Sequence, residues 1–420
     1  MTLLRRIRPE DAIHEQVEPV DAQTLAAAAV IVEDVKARGE AALREHAQRL
    51  KDLAPEAPLI HGKDSLDQAL RDLPGDEVSV LNRAAERIRR FADAQRQSLS
   101  EQEIAIPGGR SGHKIAAIES AGCYAPGGRF PLPSSVLMTV VTARAAGVKK
   151  VWVASPKPSR VTLAAAAIAG ADALLAVGGA QAIAALAFGA GEIPACDIVV
   201  GPGNRWVTAA KQLIAGRTKI DFLAGPSELT ILADSDADAA LIAADLLAQA
   251  EHDEDARPIL ISLSETLVKN VEDELELQLS TLPTASTART ALCNGGFAVV
   301  AENLDEAIEV CDRLAPEHLH LHLSNPQPTA ERLTHYGALF IGSSAAEVLA
   351  DYGAGPNHVL PTGGTARLHG GLSVLDFLRV RTWLKIDDPD GARELSRDAA
   401  QIARLEGLEA HARAADRRAR

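Results

Sequence analysis

Residues 171–189, ADALLAVGGAQAIAALAFG, pass from a short apolar run through a Gly-Gly pair into an Ala-rich segment long enough for a helix. Residues 196–216, CDIVVGPGNRWVTAAKQLIAG, repeat the pattern with Gly-Pro-Gly-Asn at the turn. A strand that is apolar at every position is covered on both faces, and strands alternating with helices make a parallel sheet. The same texture extends outward through KKVWVASP (149–156) and KIDFLAGPSE (219–228). A second series follows in LTILADS (229–235), RPILISLS (257–264), GGFAVVAEN (295–303), HLHLHL (318–323) and GALFIGSS (337–344). Helical segments over 236–252, 267–279 and 304–315 separate its strands, so two α/β units are expected. Upstream, 22–50 and 64–100 read as Ala-rich and Arg/Glu-rich helices, while residues 1–20 are charged and lack a strand pattern. The last forty residues revert to a charged helix rich in Ala, Arg and Glu. Such an arm buries little by itself and favours packing on a second subunit.

A chain of 420 residues exceeds one ordinary core, and 47 % apolar residues mark it as globular. A net charge of −14 argues against nucleic acid or an anionic membrane as the main partner, because either needs clustered Lys and Arg. The expected partner is a small molecule. No apolar run is long enough to span a membrane, and the start, MTLLRRIRPEDAIHE, has no apolar core with a small-residue cleavage site, so a cytoplasmic location is expected. The four cysteines, Cys123, Cys196, Cys293 and Cys311, stand singly and read as reduced thiols.

Ligands of parallel α/β sheets bind outside the carboxyl ends of the strands, which directs attention to the strand-to-helix turns. Gly178 and Gly179 occupy one such turn and Gly201 to Asn204 another, and small residues there allow close backbone approach of an anion to a helix N-terminus. Neither turn is the G-x-G-x-x-G fingerprint, and no Walker G-x-x-x-x-G-K-[ST] occurs. CYAPGGRFPLPSS (123–135) is a third Gly/Pro-rich loop, in which Tyr124 offers a stacking surface.

Polar groups concentrate in the second unit: Ser227, then Gln249 and His252 at the end of LLAQAEHD (246–253), Glu317 and His318, and Asp351 and His358 in LADYGAGPNHVLPTGG (349–364). With no thiolate set available, a metal would take His, carboxylate and amide oxygen. Two arrangements offer this. The period of two in HLHLHL puts His318, His320 and His322 on one strand face, like a three-His zinc site, and with Glu317 as base this would be a metal-dependent hydrolase. Alternatively Gln249, His252 and Asp351 meet from distant positions, with Gln249 and His252 on one helix face. Spacing alone leaves both open.

The motifs YAPGG, PSSVLM, VGGAQAIAALAFG, GPGN, AGPSE, LLAQAEHD, APEHL, DYGAGPNHVLPT, GGLSVLDF and EGLEAH, in this order, resemble those of the histidinol dehydrogenase family. The resemblance implies an enzyme with one zinc per subunit that carries L-histidinol through L-histidinaldehyde to L-histidine with NAD. Gln249, His252, Asp351 and His411 match the family's zinc ligands, with His411 contributed across a homodimer. Tyr124, Gln181 and Asn204 match positions that contact NAD. Ser227, His358 and Glu406 match substrate contacts beside the ligand set and His318, with Glu317 and His318 as the catalytic pair. The implied fold is α/β, two incomplete Rossmann-like parallel-sheet domains with helical N- and C-terminal arms. Its expected division is an arm over 1–20, one domain from 21–115 plus 227–371 carrying the metal and catalytic residues, a second over 116–226 with the NAD-contacting turns, and an arm over 372–420. Two positions depart from the family pattern: His320, where an acidic residue is expected, and RFPLPSS after the PGG. Relatives that oxidise another small alcohol, such as a sulfonated propanediol, are the alternative within the family.

Overall fold

The computed structural model describes residues 2–13, 20–127 and 131–420. Part of the expected N-terminal arm, 14–19, and residues 128–130 of the Gly/Pro-rich loop lie outside the described residues. In chain order the strands are β1 (Arg5–Ile7), β2 (Ile60–Gly62), β3 (Gln102–Ile106), β4 (Gly109–Ala117), β5 (Ser120–Tyr124), β6 (Lys150–Ala154), β7 (Ala173–Leu175), β8 (Ile198–Val200), β9 (Lys219–Ile220), β10 (Glu228–Ala233), β11 (Arg257–Ser262), β12 (Phe297–Val300), β13 (His318–His322), β14 (Ala338–Ile341) and β15 (Leu378–Ile386).

They form two six-stranded sheets, β2-β7-β6-β5-β8-β9 and β1-β12-β11-β10-β13-β14, and a three-stranded sheet β15-β4-β3. Every pairing in the larger sheets is parallel except the antiparallel addition of β2 to β7. Five successive strands in each take the spatial order third, second, first, fourth, fifth, which is the doubly wound order without its sixth strand. Both units are thus incomplete Rossmann-like sheets. The strands alternate as pleating requires: Cys123, Val153 and Val200 enter one core with the helices Gly75–Gln97 and Pro133–Ala146, whereas Tyr124, Ala154 and Val199 enter the other with Ala22–Arg38 and Gly179–Phe188. Among the described residues no helix is long and apolar enough to cross a membrane. All four cysteines are free, and three are buried.

Three features of the division differ from the expectation. The helices between 22 and 97 cover the sheet of the 116–226 unit, not the 227–371 sheet: Val35 and Leu43 pack with Ile183 and Val207, and Leu81 and Ile88 with Val136 and Val140. Val359, Leu372, Val374 and Phe377 return to that same core. At the N-terminus the expected helical arm is an edge strand, because Leu3 and Leu4 anchor it in the second core while Arg5 and Arg6 stay in water. In the C-terminal arm, Leu378–Ile386 pairs with β4 along its full length, from Leu378 opposite Ala117 to Ile386 opposite Gly109, before two helices, Arg393–Leu405 and Glu409–Asp416, pack mainly on each other.

The β8 turn is held by a buried ion pair. Lys211 Nζ contacts Asp221 and donates to the Gly201 carbonyl at 3.1 Å, and the Gly201 N–H donates to Asp221 Oδ2 at 2.8 Å. Gly201 has φ +117°, and a Cβ there would collide with the Tyr124 carbonyl, so the turn requires glycine. Lys211→Met strands a buried carboxylate and is expected to lower stability by about 3–5 kcal/mol, read from denaturant unfolding; a loss below about 1 kcal/mol would contradict the role given to the pair.

Candidate active site

At the carboxyl end of the first sheet, Tyr124, Gly179, Gln181 and Asn204 line a cleft of about 670 Å³, within the range of small-ligand sites. Tyr124 closes β5, and its hydroxyl accepts the Gly179 N–H at 3.2 Å. Asn204 is the N-cap of the helix Arg205–Ile214, accepting from the N–H groups of Trp206 and Val207. Gln181 Nε2 donates to Asp52 Oδ2 at 3.1 Å, while Gln181 Oε1 is buried with no partner. A buried amide oxygen lacking a donor, in a cleft of this size, fits a ligand that brings hydroxyl or amide donors, as NAD does. Asp52, not anticipated from the sequence, also accepts the Gly178 N–H at 3.3 Å; it comes from the loop between the helix Glu40–Arg49 and β2 and carries no local signal.

The second polar assembly sits at the amino ends of β10 and β13, opposite to the end expected from the parallel-sheet rule. It does so because the helix Ala239–Ala250 runs antiparallel to the strands, delivering Gln249 and His252 to the end where Glu228, Glu317 and His318 begin theirs. The Glu228 backbone fixes the last two. Its N–H donates to Glu317 Oε2 at 2.8 Å, and its carbonyl accepts from His318 Nδ1 at 3.0 Å. A carbonyl only accepts, so the His318 proton is on Nδ1 and Nε2 presents a lone pair. That Nε2 is buried without a hydrogen-bond partner and lies 4.0 Å from Asp351 Oδ1. Burial lowers the His318 pKa, against the attraction of Asp351, keeping the ring neutral. Burial, reinforced by Glu228 and Asp351, pushes the Glu317 carboxyl well above the ordinary range.

Around this pair, ligand atoms of His252, Glu347 and Asp351 lie within 4.8 Å of one another. Gln249 is fully buried, and neither amide atom has a partner. Glu347 Oε2 is likewise orphaned, and its pKa is driven well up by burial and by Asp351, Glu317 and Asp245. Among the described residues none of Glu317, Glu347 and Asp351 pairs with Lys or Arg. Crowded carboxylates, an imidazole and an unpartnered amide fit a divalent cation, whose charge would offset this repulsion. Glu347 was missed, although its i,i+4 spacing to Asp351 on the short helix Glu347–Asp351 places both on one face.

His358 Nδ1 donates to the Asp351 carbonyl at 3.0 Å, and Ser135 Oγ lies 3.3 Å from its Nε2, so the first unit reaches the assembly through the helix Pro133–Ala146. Ser227 is half-buried one residue before β10. Glu406 and His411 are exposed in the C-terminal hairpin, and no described hydrogen bond or ion pair brings them to the assembly. The three-His arrangement does not form. His318 serves the assembly with Glu317 and Asp351, whereas His320 and His322 turn to Asp245. Nor is β13 an edge strand with a wet face: it lies between β10 and β14, and all three histidines are buried.

Residues 15–419 match the model of the family described as histidinol dehydrogenase. The chain is 47 % identical over 391 residues to a histidinol dehydrogenase of Thermus thermophilus, covering 92 % of this chain and 93 % of that one. It is 41 % identical over 395 residues to one from Dechloromonas aromatica, covering 92 % and 90 %. The crystal structure of histidinol dehydrogenase from Elizabethkingia anophelis superposes with a TM-score of 0.92 at 30 % identity, covering 100 % of this chain and 98 % of that one. Matched by family, by curated relatives and by fold along nearly its whole length, the chain belongs to the histidinol dehydrogenase family of oxidoreductases.

Proposed function

We propose that the chain catalyses the NAD- and zinc-dependent four-electron oxidation of L-histidinol through L-histidinaldehyde to L-histidine, the last steps of histidine biosynthesis. The observation that carries this reading is the unprotonated, unpartnered His318 Nε2 facing the His252, Glu347 and Asp351 donor set. When bound, zinc would supply a Lewis-acidic anchor for the imidazole and amine of the substrate, and NAD the hydride acceptor. Gln249, His252 and Asp351 would hold the metal, with Glu347 beside them and His411 of a second subunit completing the set. Tyr124, Gln181 and Asn204 would hold the dinucleotide in the cleft of the first sheet.

His318 Nε2 takes the alcohol proton as hydride leaves the carbon, which its lowered pKa permits near neutrality. Glu317 then takes a proton from the water that hydrates the aldehyde, and His318 accepts the hydroxyl proton in the second oxidation. A carboxyl whose pKa is raised by burial is poised for such exchange. Ser227, His358 and Glu406 of the second subunit would orient the substrate. The proposed homodimer accounts for a C-terminal hairpin that exposes Ile402, Leu405 and Leu408 and has only a small core of its own.

Chelation tests the metal dependence. Prolonged dialysis against a strong chelator is expected to abolish NADH formation from L-histidinol, and stoichiometric zinc to restore it. Full activity in protein shown by elemental analysis to be metal-free would contradict the reading.

A further inference from the structure

The catalytic account leaves two histidines of β13 unused. Leu319 and Leu321 face the core beneath the helix Leu304–Leu314, so His320 and His322 project to the opposite face, toward Asp245 of the helix Ala239–Ala250. Three atoms converge there. His320 Nδ1 and His322 Nε2 are 3.1 Å apart, and each lies 3.3 Å from Asp245 Oδ2.

Neutral imidazoles do not account for this triangle. His320 Nε2 lies 3.0 Å from the Gly342 carbonyl, which only accepts, so Nε2 carries a proton and, in an uncharged imidazole, Nδ1 turns a lone pair into the cluster. If His322 carries its proton on Nε2, that proton serves one neighbour, and the His320 Nδ1 to Asp245 contact remains lone pair against lone pair. Its Nδ1, buried and unpartnered, is then a second unsatisfied acceptor. If the proton is on Nδ1 instead, all three converging atoms present lone pairs. A single cation relieves every edge at once. Zinc binds nitrogen and oxygen at about 2.0–2.2 Å, which sets donor separations of about 3.3 Å in a tetrahedral site and about 3.0 Å between neighbours in an octahedral one. The observed separations of 3.1, 3.3 and 3.3 Å fall in that interval.

We propose that Asp245, His320 and His322 form a second metal site for a divalent first-row transition cation of the zinc class, separate from the His252, Glu347 and Asp351 group. Two imidazoles and one carboxylate favour such an ion over magnesium or calcium. The Asp245 side chain, 14 % exposed against 0 % for the two histidines, leaves an access path. The site stays structural because it is otherwise closed. It ties β13 two residues beyond His318 to the helix one turn before Gln249, so an ion there fixes the proton acceptor relative to the first metal group.

Zinc and iron per chain are measured by plasma emission after the whole protein is loaded with zinc and dialysed against metal-free buffer. Wild type is expected to retain two ions, Asp245→Asn and His322→Gln one each, and Asp245→Asn combined with His252→Gln none, with circular dichroism unchanged. One ion in wild type that Asp245→Asn removes and His252→Gln spares would also support the site, while counting against the catalytic metal. Wild type with a single ion that Asp245→Asn spares, or two ions that both survive Asp245→Asn, would overturn it. If the variants fail to fold, cobalt titration of chelator-treated wild type decides: two saturating equivalents, or one that leaves histidinol oxidation unrestored, support the site, and a single equivalent that restores it overturns it.

Discussion

Replacing His318 by Gln is expected to lower kcat for histidinol oxidation about 10²–10⁴-fold, the usual contribution of a positioned general base, with the catalytic metal retained. The imidazole stands where its Nδ1 proton is committed to the Glu228 carbonyl and its Nε2 has no protein partner, which leaves that lone pair for the substrate proton. The pH profile gives a second reading of the same residue. Burial lowers the His318 pKa, so the ring is neutral above that value and loses its accepting lone pair only as pH falls through it. The acid limb of kcat should therefore lie below the ordinary histidine value of about 6.5 in wild type and disappear in the variant. A variant within about tenfold of wild type, with the acid limb in place, would remove His318 from the mechanism.

Glu317→Gln is expected to separate the two oxidations. The side chain keeps an oxygen able to accept the Glu228 N–H now held at 2.8 Å, so the strand start should fold as before. It loses the basic form that activates water, and aldehyde oxidation should slow about 10²–10⁴-fold while the alcohol step proceeds. NADH released per histidinol would then fall from two toward one, with trappable aldehyde accumulating. Because the Glu317 pKa is raised, its carboxylate population grows as pH climbs through that raised value, so the aldehyde step in wild type should gain rate in that direction. Equal slowing of both steps would assign Glu317 to substrate placement instead.

The parallel sheets were legible because their strands are apolar on both faces, as in LTILA of β10 and PILIS of β11, a texture no exposed segment shares. The pairing of β4 with β15 was not. More than two hundred residues separate them in the chain, and β15 is largely exposed, so neither periodicity nor propensity announces the contact. Helix existence between 22 and 97 was equally plain, but which sheet those helices cover depends on packing of alanine-rich faces that fit either unit. In the site, Tyr124, Gln181 and Asn204 line one cleft, and His252, Asp351, Glu317 and His318 meet in one assembly. Asp245, Gln249 and His252, spaced i, i+4, i+7 along an otherwise apolar helix and the turn that ends it, were a usable signal of which only the last two were read. Family membership sets the oxidoreductase chemistry in place of the hydrolase that HLHLHL suggested, and the histidines behind that suggestion remain as the second cluster.

The central claim, one site performing two successive oxidations at a metal, is tested most directly by NADH released per L-histidinol consumed, run to completion with and without prior chelation. The account predicts two NADH per substrate, none after chelation, and two again once zinc is returned. One NADH per substrate, or two from metal-free protein, would contradict it.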